Sequence, residues 1–100
     1  MSNALFQAQV KNNFETLDLY TTAITRAHGK SHPEAFDVRE IFESIQKKVE
    51  AAGESKPDLC KEFSQLQKVT DYYAIPNNVC PTYESTYEML KDLNQAYDAQ

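Results

Sequence analysis

Two six-residue stretches of the same pattern, Gly29-Lys30-Ser31-His32-Pro33-Glu34 and Gly53-Glu54-Ser55-Lys56-Pro57-Asp58, divide this chain of 100 residues. In each stretch the glycine is expected to end a helix, and Gly29 is expected to do so in the left-handed cap conformation, which glycine adopts without strain. The serine, proline and acidic residue that follow are typical of a helix start, where serine caps free backbone N–H groups and proline fits the first turn. With a third break at residues 76–78, the chain is predicted to form helices at residues 3–28, 33–52, 57–74 and 81–98.

Apolar residues between these breaks recur every three or four positions, the spacing that places them on one face of an α-helix. The predicted inward positions are Phe6, Val10, Phe14, Leu17, Tyr20, Ile24 and Ala27; Val38, Ile41, Phe42, Ile45, Val49 and Ala52; Leu59, Phe63, Leu66, Val69 and Tyr73; and Tyr83, Tyr87, Leu90, Leu93 or Asn94, and Tyr97. Short connections between helices of similar length force neighbouring helices to run antiparallel. The sequence therefore predicts one all-α domain over residues 1–100, an antiparallel up-down-up-down four-helix bundle.

Charge and composition exclude several classes of partner. The net charge is −5, and an acidic surface repels phosphate backbones, so nucleic acid is not expected to bind. No run approaches the roughly 20 apolar residues of a membrane span, and residues 1–11 lack the pattern of a signal peptide. A cytoplasmic location is predicted, with Cys60 and Cys80 as free thiols because no disulfide-rich scaffold is in evidence.

The residues that could carry chemistry lie at the ends of the predicted helices. His28 and His32 are four positions apart with Glu34 close behind, a set that could grip a metal on one helix face, although Gly29 places them in a turn where solvated histidines are the rule. Cys80 precedes the fourth helix, a position that can activate a thiol. In an up-down-up-down bundle this cysteine shares an end with both histidines, so a thiol–histidine pair and a simple packed cysteine are both compatible with the sequence.

Other polar and aromatic residues are expected to be structural. The Glu-x-x-His motif of di-iron bundles does not occur in the sequence. Arg39 and two pairs of glutamates are predicted to lie on exposed helix faces; the pairs are Glu40 with Glu43 and Glu84 with Glu88. The six tyrosines are assigned mainly to the core, but Tyr72 and Tyr73 are adjacent, so one of them must face away from it. Tyrosines on the surface could support contact with a partner protein.

Residues 75–87 resemble a segment of the hemerythrin-like di-iron proteins that repair iron–sulfur clusters. In that family a proline-rich break leads into Ala-Cys-x-Thr-aromatic-x-x-x-Tyr, and Cys80, Thr82, Tyr83 and Tyr87 match this motif in identity and spacing. Two further segments, 63–70 and 27–34, are similar to the helix before that break and to a turn between the family's first helices. The resemblance implies a hemerythrin-like bundle and a link to iron or nitric-oxide stress.

The family's metal ligands are not matched in this chain. Counting on from Tyr87, the ligand histidine of the last helix falls at Gln100. The His-x-x-x-Glu motif expected at the end of the second helix falls at 49–54, and the His-Asp pair expected at the start of the third falls at 56–58. Neither range contains a histidine. Iron as a cofactor is therefore implied by the family alone, and no cofactor is predicted from the residues.

Three functions are compatible with the sequence, and the balance of residues leans away from an enzyme. The leading hypothesis is a small cytoplasmic helical bundle, related to the repair proteins but lacking their di-iron site, which acts by binding. The second is a metal-binding or thiol-active module that uses His28, His32, Glu34 and Cys80. The third is a structural or oligomerising bundle whose aromatic surface binds itself or another protein.

Overall fold

The protein is all-helical in the computed structural model, which describes residues 3–99. The four helices are α1 (Ala4–His28), α2 (Glu34–Ala52), α3 (Cys60–Thr70) and α4 (Pro81–Asp98), and no strand occurs among the described residues. The all-α class is thus confirmed, and three helices have their predicted bounds to within one residue. Within residues 3–99, no helix has both the length and the apolar character that a membrane crossing needs.

The predicted apolar stripes form the core. Of the predicted inward positions, only Ala27 is exposed, and the others are buried or half-buried. The buried hydrophobic side chains of this core are Phe6, Leu17, Ile24, Ala35, Val38, Phe42, Ile45, Leu59, Phe63, Leu66, Tyr83, Tyr87, Leu90, Leu93 and Tyr97. The molecule measures 41 × 21 × 20 Å, and its long axis is close to the roughly 38 Å expected for the 25 residues of α1.

Helix α1 packs against both α2 and α4. At the α1–α2 contact the rings of Phe14 and Phe42 meet edge to face with centroids 5.2 Å apart. Arg39 Nη1 lies 2.7 Å from Asp18 Oδ1 and donates to Thr21 Oγ1 at 3.0 Å. The expectation that Arg39 faces outward is wrong, because these acceptors on α1 hold its side chain half-buried between the helices.

The remaining contacts complete the packing. Helix α2 meets α3 through Lys48 Nζ, which lies 2.9 Å from Glu62 Oε2. Helix α4 meets α1 and α3 through Tyr97, whose ring lies 5.5 Å from that of Phe6 and 5.1 Å from that of Phe63. Each helix therefore contacts two others, which is the packing of a bundle.

The start of α3 differs from the prediction by three residues. Residues 57–59 stay outside the helix because Tyr97 binds their backbone: its hydroxyl accepts the N–H of Leu59 at 2.9 Å and donates to the carbonyl of Pro57 at 3.1 Å. Ser55 is exposed and does not cap the helix; instead Asp58 Oδ1 accepts the N–H of Cys60 at 3.2 Å. A long-range tertiary contact thus overrides the local start signal.

The end of α3 also comes early, at Thr70 rather than at residue 74. Asp71, Tyr72 and Tyr73 all have positive φ angles, 54°, 58° and 64°, a conformation that costs about 1–2 kcal/mol for each non-glycine residue. Thr70 Oγ1 compensates by accepting the N–H of Tyr73 at 2.8 Å, and the Tyr73 hydroxyl donates to Asn94 Oδ1 at 2.7 Å. Tyr72 is consequently exposed and Tyr73 half-buried, as their adjacency required.

The turn between α1 and α2 corrects two further expectations. Gly29 does end α1, but with right-handed angles of φ −56° and ψ −31° rather than as a left-handed cap. Its lack of a side chain matters for space, because a Cβ atom there would lie 2.6 Å from the ring of Phe36. Ser31 does not cap α2 either; Pro33 precedes the helix, and the carbonyls of His32 and Pro33 accept its first N–H groups. Gly53 ends α2, as expected, with a positive φ of 60° and a ψ of −120°, which lies outside the left-handed helical region.

Candidate functional site

The two histidines converge on one tyrosine at an end of α1. The rings of His28 and His32 have centroids 6.3 Å apart, and they lie 5.4 Å and 5.7 Å from the ring of Tyr83. His32 Nδ1 lies 3.5 Å from Glu34 Oε2, with about a fifth of the His32 side chain exposed to solvent. We call these four residues, together with Tyr87, the histidine–tyrosine cluster.

The local turn explains why the histidines share a side. The backbone N–H of His32 donates to the carbonyl of His28 at 2.7 Å, so one more helix-like turn follows the end of α1. Residues four apart on such a turn project in the same direction. The sequence predicted a turn at this position, and the turn keeps both imidazoles together despite Gly29.

The tyrosines form the buried floor of the cluster. Tyr83 and Tyr87 are fully buried, and their hydroxyl oxygens share a hydrogen bond at 3.1 Å. Burial raises the pKa of Tyr83, an effect that its hydrogen bond with Tyr87 partly offsets and the negative charge of Glu34 reinforces. Burial, the same hydrogen bond and the charge of Glu34 all raise the pKa of Tyr87. Both phenols therefore stay protonated at neutral pH.

The cluster provides nitrogen and carboxylate donors but does not assemble a metal site. Within residues 3–99, no group of three or more His, Cys, Asp or Glu side chains is placed to hold a metal ion. What the arrangement offers is a pair of imidazoles beside one carboxylate, over two neutral phenols. Such groups can contribute part of a ligand set that another molecule completes.

The cysteines occupy different places. Both are free thiols, as predicted. Cys80 immediately precedes α4, is half-buried and packs against the core, and Tyr83 lies one helical turn after it. Cys60 is the exposed first residue of α3, and its Sγ lies 3.9 Å from the Tyr97 hydroxyl. The contacts of the two imidazoles are with each other, with Glu34 and with Tyr83, so the thiol–histidine pairing stays a prediction.

Sequence reasoning missed one buried carboxylate. Glu62 is only 5% exposed, although glutamate is seldom buried without a partner. It lines a cleft of about 480 Å³ between α2 and α3, whose other lining residues are Asp37, Glu40, Ile41, Ser44, Lys61, Gln65 and Val69. The signal was its spacing: Glu62 follows Leu59 by three positions and precedes Leu66 by four, which places it on the inward face of α3.

The predicted site residues are thus only partly brought together. His28, His32 and Glu34 form one cluster with Tyr83 and Tyr87, whereas Gln100, the position at which the resemblance would place the family's ligand histidine, lies outside the described residues. The exposed positions of Glu40, Glu43, Glu84 and Glu88 are confirmed. Comparison of the chain with protein-family models, with curated proteins and with solved structures found no significant match.

Proposed function

We propose that this chain is a helical-bundle binding protein, related to the hemerythrin-like proteins that repair iron–sulfur clusters but without a di-iron centre of its own. Its setting is the cytoplasm under iron, nitric-oxide or redox stress, and it acts by binding another protein. The segment 80–87 supports the family relation, because its matched tyrosines are buried structural residues at the start of α4.

The observation that carries this proposal is the content of the bundle interior. A di-iron centre in a four-helix bundle requires glutamates and histidines that project inward from facing helices. Here most inward positions hold apolar side chains, and Leu17, Phe42, Leu66 and Leu90 are each 0% exposed. These residues do not fit a buried metal pair, so we assign the function to the surface of the bundle.

An antiparallel, hemerythrin-like topology forms part of the proposal. Contacts that pair early residues of one helix with late residues of another support it. Phe6, near the start of α1, meets Tyr97 near the end of α4, and His28 at the end of α1 meets Tyr83 at the start of α4. On α3 and α4, Gln67 Nε2 donates to Asn94 Oδ1 at 3.0 Å while Phe63 meets Tyr97, again in opposite chain order.

The test is a metal count on protein purified anaerobically from iron-replete cells without a metal-binding tag. The expected result is less than about a tenth of an equivalent of iron, zinc or manganese per chain. Two iron atoms per chain would overturn the proposal. Sedimentation from micromolar to millimolar concentration then separates self-association from binding of a different protein, since only the former makes the mass depend on concentration.

The histidine–tyrosine cluster favours a second candidate, a metal-binding or thiol-active module. The specific observation is that His28, His32 and Glu34 lie together beside Tyr83. The test is zinc titration of the wild type, of a variant with both histidines changed to alanine, and of Lys30→Ala as a control in the same turn. Uptake that is lost only in the double variant would support this candidate, and uptake unchanged in that variant would remove it.

A further inference from the structure

The cleft between α2 and α3 combines negative charge with an apolar floor. Asp37 and Glu40 contribute carboxylates from α2, and Glu62 contributes one from α3. Ile41 and Val69 are half-buried and supply the apolar surface. Lys61 is the cation of the lining, so the carboxylates outnumber it.

Glu62 is the unusual member of this lining. Lys48 Nζ binds its Oε2 at 2.9 Å, and this hydrogen bond is the main reason why the pKa of Lys48 is raised. The other carboxylate oxygen, Oε1, is buried and has no hydrogen-bond donor within the part of the chain that the structure describes. A buried acceptor without a donor destabilises the fold, and more so when it is charged. Among residues 3–99, therefore, only one of the two carboxylate oxygens of Glu62 has a donor.

We propose that this cleft binds a basic, amphipathic segment of a partner protein, with a lysine or arginine side chain that donates to Glu62 Oε1. This inference rests on the proposed function, in that it names the chemistry of the protein which the bundle binds. The ammonium or guanidinium group supplies the missing donor and pairs with a desolvated carboxylate. The methylene stem of that side chain and its apolar neighbours lie against Ile41 and Val69.

Charge complementarity selects this occupant over others. A second copy of this chain carries the same net charge of −5 and is repelled by the carboxylates of the cleft. An acidic segment is disfavoured for the same reason. A hydrated metal ion makes no use of the apolar floor, whereas a helical segment with apolar residues three and four positions apart and basic residues beside them matches both parts of the lining. The exposed side chains Lys61 and Gln65 stand at this cleft and can rotate to admit the incoming group.

The experiment uses two labelled synthetic peptides with identical leucine and alanine positions, one with lysine and one with glutamate at the remaining positions. Fluorescence anisotropy gives the affinity, and amide chemical shifts locate the site. The lysine peptide is expected to bind, to shift amides within residues 37–44 and 61–69, and to bind more weakly as salt rises. Glu62→Gln keeps the side-chain volume and should weaken binding by about tenfold or more.

Glu88→Gln is the matched control, because it makes the same charge change at an exposed position of α4; its effect should stay below about twofold. A double variant, Asp37→Asn with Glu40→Gln, changes two exposed carboxylates of the cleft and no buried group, and it should weaken binding and reduce the salt dependence.

The proposal is overturned if the two peptides bind equally, if the shifted amides lie elsewhere, or if Glu62→Gln behaves like Glu88→Gln. Any of these results alongside a low metal count would leave the binding-protein proposal standing.

Discussion

The hydroxyl of Tyr97 should contribute more to stability than its single oxygen atom suggests. The Tyr97→Phe substitution keeps the ring that packs against Phe6 and Phe63 but removes the oxygen that links two backbone groups ahead of α3. That oxygen accepts the Leu59 N–H at 2.9 Å and donates to the Pro57 carbonyl at 3.1 Å. Both residues are buried, so each group would lose its partner away from bulk water.

The magnitude follows from this accounting. An unpaired buried polar group costs about 1–3 kcal/mol, and two such groups with partial relaxation give a loss of about 2–4 kcal/mol in the free energy of unfolding. Domains of this size have total stabilities of about 5–15 kcal/mol, so the change is large. A loss of about 3 kcal/mol corresponds to a fall in Tm of roughly 12–24 °C.

Urea unfolding monitored by circular dichroism measures this loss, with Tyr72→Phe as the control. Tyr72 is 74% exposed, and removal of its hydroxyl should change stability by less than about 0.5 kcal/mol. Hydrogen exchange adds a local readout, since the Leu59 amide should lose its protection in Tyr97→Phe. The reasoning is refuted if Tyr97→Phe and Tyr72→Phe unfold at the same urea concentration, because the tertiary contact would then not be what delays the start of α3.

Three further predictions concern a glycine, an ion pair and the response to alkaline pH. Gly53→Ala should cost about 1–3 kcal/mol because φ is +60° and ψ is −120° there, a conformation that residues with a side chain rarely adopt. The open space around Gly53 rules out a clash as the cause, and an unchanged thermal midpoint would contradict this prediction. Arg39→Met should lower the free energy of unfolding by about 1 kcal/mol, because it removes the ion pair with Asp18. A double-mutant cycle with Asp18→Asn should show a coupling energy that weakens in high salt, and purely additive effects would exclude this ion pair as the source of the loss. Burial raises the pKa of Tyr73 and Tyr87 above the ordinary value of 10.0, so the unfolded chain loses these phenol protons at a lower pH than the folded chain does. The free energy of unfolding should therefore be unchanged below about pH 10 and fall above it. The measurement is the urea midpoint, which should be lower at about pH 11 than at about pH 9.

The sequence predicted most of the fold because most of the fold depends on local pattern. Apolar spacing of three and four identifies a buried helical face wherever the neighbours supply a core, so the inward positions of α1, α2 and α4 were found. The limits of α3 were not found, because they depend on groups far away in the chain. Its start is set by Tyr97, some forty residues later, and its end by a left-handed turn that Thr70 and Asn94 stabilise. Turns built on non-glycine residues with positive φ leave no signature comparable to glycine.

The candidate sites differ in the same way: the histidines are visible in the local sequence pattern, whereas the burial of Glu62 depends on tertiary packing, and this difference bears on function. His28 and His32 were found because histidines four apart are conspicuous, and the structure places both of them against Tyr83. Glu62 was missed because glutamate on a helix is ordinarily assigned to solvent, and only the packing of α2 against α3 makes its burial visible. A buried charge that serves stability alone is expected to have both oxygens paired, since an apolar residue of similar size would cost the fold less. Among residues 3–99 only Oε2 of Glu62 has a hydrogen-bond donor, and the basic segment proposed above would supply the donor for Oε1.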